Sequence, residues 1–285
     1  MSELHSHPLV SVLMTAYNRE QYIGFAIESV LASTFKDFEF IIVDDQSTDQ
    51  TLSVIKQYAA KDNRIRYFVN EHNLGDYPNR NHAASLATGK YLKYVDSDDY
   101  IYPHGLEILV NGMENNPRAA WGICAVKPDS TMPFPFVLDP KESYQYHFFG
   151  PGLFHKGPLA VIIKKEIFDS TGPFSTGRMI SDTDLWYKLA LKHPLVLFQN
   201  GIVWQRRHLN QELSDQKKYI TAGEKLKWKY LLAEECLLTR EQVRKIKSGR
   251  IKRYTGFILY GLKRFDFELV KIYVKCLLYV LKIKL

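Results

Sequence analysis

The chain of 285 residues is predicted to be an α/β protein. Its mostly parallel central sheet carries helices on both faces, and a basic helical extension follows. Three observations predict this. Apolar, β-branched runs alternate with amphipathic stretches of about ten residues over the first hundred positions, the pattern of β-α units. Three of these runs end in polar or acidic clusters: Thr15-Ala16-Tyr17-Asn18, Asp44-Asp45 and Asp96-Ser97-Asp98-Asp99. Charge is also divided along the chain: residues 216–285 hold 18 Lys and Arg against 6 Asp and Glu, whereas 1–215 carry a net −5.

The elements follow in order. Leu9–Thr15 is apolar and β-branched, a strand, and Gln21–Ala32 is amphipathic. Phe38–Asp45 is the next strand, followed by a helix over Gln50–Ala60 that Ser47 or Thr48 is expected to cap. Arg64–Val69 reads as a strand, a helix is expected near Arg80–Ala87, and Lys90–Asp96 closes the series. In open α/β sheets the ligand lies off the carboxyl ends of the strands, so the three polar clusters should share one crevice. Further on, Ala119–Val126 and Leu159–Ile163 read as strands, PDSTMPFPF as a loop and Asp182–Lys192 as a helix. LVLFQN and GIVWQRR read as a final strand pair. From about Asp215 the pattern is helical. In the last segment, charges at 268, 271, 275 and 282 fall on one helical face, with Leu269, Ile272, Cys276 and Val280 towards the other. The expected domains are 1–215, with a nucleotide half near 1–100 and an acceptor half near 101–215, and the extension 216–285.

Composition excludes several classes. Hydrophobic residues at 46% and charged residues at 24% are those of a folded globular chain. Three scattered cysteines exclude a disulfide framework or a Cys-rich zinc site and suit a reducing compartment. The opening MSELHSHPLV has no basic stretch followed by an apolar one, so no secretory leader is expected. No stretch is long and apolar enough to span a bilayer. The expected location is cytoplasmic, with peripheral contact to the inner membrane face. The basic tail suits an anionic membrane surface; the other reading is ordinary packing as a buried or dimer-forming helix with Lys and Arg on the solvent side. Nucleic acid is not expected, because no recognition module accompanies the charge.

The acidic clusters carry the chemistry. Three carboxylates within four residues repel one another unless a cation joins them, and a hard divalent ion readily bridges carboxylates to diphosphate oxygens. A carboxylate at Asp45 can accept a pyrimidine N–H or a ribose hydroxyl. Arg80, near a helix N-terminus, suits a phosphate. Asp182 is a candidate general base, because the first clusters are committed elsewhere; Asp184 competes with it. Asp99 is expected to cap a helix after Tyr100. Arg206-Arg207-His208 is a basic group that suits diphosphate or a metal.

Five segments in order, VSVLMTAYNREQYIGFAIESVLAST, FEFIIVDDQSTDQT, NLGDYPNRNHAASLATGKYLKYVDSDD, SDTDLWYKLA and WQRRHLNQ, resemble a family 2 glycosyltransferase of GT-A fold. The resemblance runs from about Leu9 to Gln211. It implies inverting transfer of one sugar from a nucleoside diphosphate sugar, UDP by default, to a saccharide or lipid-linked saccharide in surface-polysaccharide synthesis. It places Thr15 and Tyr17 at the nucleoside, Asp45 and Arg80 at the base, and Asp96 near ribose and metal. Asp98 becomes the main Mn²⁺ or Mg²⁺ ligand, Asp182 the base, and His208 an approach to the metal. Ser181 stands where the family has glutamate, which bears on acceptor contacts. Two other classes are a nucleotidyltransferase making a sugar nucleotide and a non-catalytic nucleotide-binding module. The missing Gly-rich triphosphate loop argues against the first, and the intact carboxylates against the second.

Overall fold

The structure, a computed structural model, describes residues 7–127, 131–208 and 217–285. The start of the PDSTMPFPF loop and the domain boundary expected near 215 lie outside them. The chain divides into two compact units, Met1–Ser143 with Leu153–Arg207, and Tyr144–Gly152 with His208–Leu285.

In the first unit, among the described residues, eight strands form one sheet in the order β3-β2-β1-β4-β8-β6-β9-β7. The strands are β1 (Val10–Ala16), β2 (Phe38–Asp44), β3 (Ile65–Val69), β4 (Tyr91–Tyr94), β6 (Trp121–Val126), β7 (Phe136–Leu138), β8 (Val161–Lys164) and β9 (Leu195–Gln199). A two-residue ribbon pairs β5 (Tyr100–Ile101) with β10 (Val203–Trp204). β3, β2, β1 and β4 are parallel. β8 runs antiparallel between β4 and β6. β2 is buried at every position, as an interior strand covered on both faces must be. Helix α1 (Ile23–Leu31) buries Ile23, Ala26, Ile27 and Val30, a spacing of 3, 4 and 7 that makes one stripe. α2 (Thr51–Ala59), α3 (Asp76–Ser85), α4 (Gly105–Glu114), α6 (Lys165–Thr171) and α7 (Ser181–Lys192) also belong to this unit, whereas α5 (Pro140–Phe149) begins in it and has its residues from Tyr144 on in the second.

The last two strands do not pair with each other. β9 lies between β6 and β7, with Leu195 to Phe198 all essentially buried, so both its edges are taken. The chain turns at Gly201, whose φ of 86° suits glycine, and β10 joins β5 instead. Nor do Ser47 and Thr48 cap α2: its N-cap is Gln50, and the two hydroxyl residues bond Asn18.

The sheet's other end, away from the polar clusters, is locked by a buried carboxylate. Glu39 accepts from Ser11 Oγ and from Thr88 N and Oγ1, each at 2.7 Å. Burial pushes its carboxyl up, but bonds from Ser11, Thr88 and Arg66 outweigh that and hold it below its usual value. Gly89 follows in the same turn, and a Cβ there would lie 2.6 Å from Ser11 N. Gly89→Ala is therefore expected to cost about 1–3 kcal/mol by overpacking against backbone; a denaturant midpoint equal to wild type would contradict it.

In the second unit, α8 (Ile220–Leu231), α9 (Arg240–Lys263) and α10 (Phe267–Lys282) pack together. α9 opens with a Thr239–Gln242 capping box. Asp266 caps α10 by accepting from Leu269 N at 3.0 Å. The two helices approach closely at Gly261, where a Cβ would meet Val270 at 2.8 Å. Phe257 and Tyr254 stack on Tyr273 across the pair.

Candidate active site

Because β1, β2 and β4 are parallel neighbours, their carboxyl ends lie along one edge of the sheet, and the three polar clusters meet there. The loops after β1 and β2 are laced together. Asn18 N donates to Ser47 Oγ at 3.0 Å, Thr48 N to Asn18 Oδ1 at 2.8 Å, and Arg19 N to Thr51 Oγ1 at 2.7 Å. Much of the polar character of these segments is thus spent on holding the crevice open in one shape. Thr15, near the end of β1, is half-buried, while Tyr17 is exposed just beyond.

Asp45 is buried. Its Oδ1 accepts from Asn70 Nδ2 at 2.6 Å and Leu74 N at 2.8 Å, and its Oδ2 from Gly75 N at 2.9 Å. The carboxylate therefore shapes the Asn73-Leu74-Gly75 loop against the crevice. Asn70 in turn bonds Asn79 Oδ1 at 3.0 Å and His82 Nδ1 at 2.7 Å.

Arg80 is also committed within the protein. It donates to Asp76 Oδ1 at 2.7 Å and to Asp96 Oδ1 at 2.6 Å, and it lies 5.8 Å from the Tyr94 ring centroid. Burial disfavours its charge, but Asp76 and Asp96 outweigh burial and hold the guanidinium firmly protonated. Its visible task is to anchor Asp96 to α3.

Asp98 has a partner that sequence reading did not single out: Arg19 Nε donates to Asp98 Oδ2 at 3.2 Å. Asp99 does not cap a helix. The chain continues as β5, and Asp99 Oδ1 accepts from Arg206 N at 2.8 Å. Arg206 Nε donates to the Asp98 carbonyl at 3.0 Å. Its guanidinium lies 5.0 Å from the rings of both Phe25 and Trp204. The β5–β10 ribbon thus clamps the acidic loop from behind. Burial, with the charges of Asp96 and Asp98 added, pushes Asp99 up to about 8. The part of that push that comes from Asp96 and Asp98 is repulsion between neighbouring carboxylates, which a cation at the loop would relieve. Among the described residues no group of three or more His, Cys, Asp or Glu could hold a metal on its own. The fit is therefore to a divalent ion that takes one or two carboxylates here and its other oxygens from a diphosphate. His208 belongs to the second unit.

Asp182 opens α7, and an aromatic chain sets α7 beside α3. Phe174 lies 5.3 Å from Tyr77, 5.7 Å from Tyr94 and 6.0 Å from Trp186, centroid to centroid. Asn81 and Phe174 exchange two hydrogen bonds of 2.9 Å. Ser181 is buried and donates to the Ser175 carbonyl at 2.6 Å. It ties the preceding loop to the helix. The Asp182 carboxylate accepts from Thr183 N at 2.6 Å, and Tyr77 of α3 is near enough to favour its charged form. Burial pushes it up to about 6, against the Thr183 and Tyr77 hydrogen bonds and the positive charge of Arg80. Asp184, the competitor, is held by Lys188 at 2.8 Å.

The profile of the family described as glycosyl transferase family 2 matches residues 11–172. An Escherichia coli protein named UDP-Glc:alpha-D-GlcNAc-diphosphoundecaprenol beta-1,3-glucosyltransferase WfgD is 27% identical over 264 residues, 91% of this chain and 96% of that protein. An uncharacterized glycosyltransferase of Methanocaldococcus jannaschii is 46% identical over 111 residues, but the match spans only 38% of either chain. Of two further relatives, from Haemophilus influenzae and Bacillus subtilis, the match likewise spans only 34% and 41%. Among solved structures, S. aureus TarS 1-349 in complex with UDP-GlcNAc superposes with a TM-score of 0.66 at 19% identity, over 94% of this chain and 81% of that one. The Pyrobaculum calidifontis mannosyltransferase PcManGT, in complex with GDP-Man and Mn²⁺, gives 0.65 at 15% identity, over 97% and 88%. Both likenesses are of fold, the GT-A fold. With the profile covering more than half of the chain, including all three strand ends that build the crevice, this chain belongs to glycosyl transferase family 2.

Proposed function

We propose that this enzyme transfers one sugar from a nucleoside diphosphate sugar, UDP-glucose first among donors, to a hydroxyl of a lipid-linked saccharide, with inversion at the anomeric carbon. The observation that carries the reading is Asp182: a carboxylate in the first turn of α7, bonded to Thr183 N and pushed up to about 6 by burial, with Tyr77 and the charge of Arg80 acting on it. Support for the donor and the acceptor comes from the E. coli relative, whose name gives UDP-Glc and a diphosphoundecaprenol-linked sugar.

In this reading Thr15 and Tyr17 line the nucleoside pocket, and Asp45 with its Asn73–Gly75 loop forms the wall that meets the base. Asp98 and Asp96 hold Mn²⁺ or Mg²⁺, which when bound neutralises charge on the departing diphosphate. Asp182 accepts the proton of the acceptor hydroxyl. That oxygen forms its bond to the anomeric carbon as the bond from that carbon to the diphosphate oxygen breaks on the opposite face. The nucleoside diphosphate leaves with the electron pair. Arg19, bound to Asp98, and Arg80, bound to Asp96, keep both carboxylates aimed into the crevice without a search through rotamers.

The sign of the pH dependence follows. The base works only when ionised, and its raised value extends the inactive range upward from the usual carboxylate region near 4. Initial rates of glucose transfer from UDP-glucose to a diphosphoundecaprenol-linked acceptor sugar are expected to fall about tenfold per pH unit below about 6 and to level off above it. A rate that stays flat down to pH values near 4 would remove Asp182 from this role.

A further inference from the structure

α10 carries two apolar stripes, and among the described residues only one of them is buried. Cys276 and Val280 are buried in the three-helix unit, and Tyr273 stacks on α9. On the opposite side, Phe267, Val274, Leu278 and Leu281 succeed one another at spacings of 7, 4 and 3, one line along the helix. Of these, Phe267 is 65% exposed, Leu278 53% and Leu281 51%. The stripe begins at the α9–α10 turn, where Phe265 is 79% exposed and the last turn of α9 adds exposed Leu259, Tyr260 and Leu262. Scattered exposed apolar side chains are ordinary, but a continuous row that includes the tip of a hairpin marks a surface built for a partner. Lys271, Lys275 and Lys282 run along one edge of the row, with Glu268 the one acid of that edge. Among the described residues no helix is long and apolar enough to cross a membrane.

We infer that this stripe and the hairpin tip form a docking surface for an anionic phospholipid bilayer, with α10 lying in the plane of the interface. The occupant follows from charge and shape. Phe and Leu supply the face that enters the acyl boundary, and lysines beside it meet lipid phosphates. A second copy laid along the same line would press Lys271 into an apolar seam, which weakens such pairing. The inference deepens the lipid-linked acceptor reading, yet it needs none of that reading's chemistry to hold.

The test is sedimentation of the full chain with vesicles of phosphatidylcholine alone and of phosphatidylcholine with phosphatidylglycerol, at low and high salt. Wild type is expected to pellet with the anionic vesicles, more strongly at low salt, and weakly with the neutral ones. Replacing the three edge lysines by glutamine should lower anionic-vesicle affinity by about fivefold for each. Phe267→Ser with Leu278→Ser, both at exposed positions, should lower it about tenfold or more at an unchanged melting temperature. Wild type left in the supernatant with both vesicle types would overturn the inference. So would equal binding by the lysine variant, or a wild-type dimer that the serine variant turns into monomer. UDP-induced stabilisation of the same proteins, read in parallel, reports on the donor site and stands or falls separately.

Discussion

Asp182→Asn is expected to lower kcat for glycosyl transfer by about 10²–10⁴-fold, with nucleotide binding unchanged. The amide keeps the size of the carboxylate and its oxygen can still accept from Thr183 N, so α7 should begin as before. What it loses is the ability to take a proton. A melting temperature and a UDP affinity equal to wild type, with transfer nearly abolished, is the expected pattern. Asp184→Asn serves as the internal comparison. Its carboxylate already pairs with Lys188, so its effect on transfer should be small. Equal losses in the two variants would mean that the start of α7 matters for shape and not for proton transfer.

The second large effect is expected at Asp98. Asp98→Asn should abolish the Mn²⁺-dependent part of the melting-temperature rise that UDP produces, and lower transfer by about 10³-fold or more. A ligand that binds only the folded state stabilises it according to occupancy, so the shift reads donor binding without an acceptor. The substitution removes a charge from a loop already crowded by Asp96 and Asp99. Without metal, Asp99 should therefore return towards the ordinary carboxylate range, since part of its upward push comes from Asp98. The free protein should be no less stable than wild type, and the loss should appear only with nucleotide and metal present. A full UDP shift with Mn²⁺ in the variant would take Asp98 out of the metal site.

Much of this was readable from the chain. The apolar runs Leu9–Thr15, Phe38–Asp45 and Lys90–Asp96 hold the largely buried strands β1, β2 and β4, because short β-branched runs between polar turns have few other ways to bury themselves. Asp182 at a helix start, distant from the acidic loop, was also legible. Other features were not. Arg19 stands in an ordinary-looking turn, and only its bond to a carboxylate 79 positions away gives it a place in the site. β10 has two residues and no pattern of its own, so its pairing with β5, and through it the hold of Arg206 on the acidic loop, depends on a strand a hundred residues earlier. In α10 the apolar residues opposite the charged set were visible as one stripe. The second row, at 267, 274, 278 and 281, has the same period, and a sequence carries no mark of which row a neighbour covers.

The sequence by itself determined which segments become strands, that their carboxyl ends bear acids, and that the last seventy residues are basic and helical. Those properties are local: periodicity, β-branching and composition act over a few residues. Only the tertiary structure decided what each acid bonds to. Asp45, expected at the base, accepts from the Leu74 and Gly75 amides, Arg80 is taken by Asp76 and Asp96, and Ser181 by Ser175. Hydrogen-bond donors reach carboxylates across tens of residues only after the sheet has set their distance, and burial then fixes which of them keep their protons.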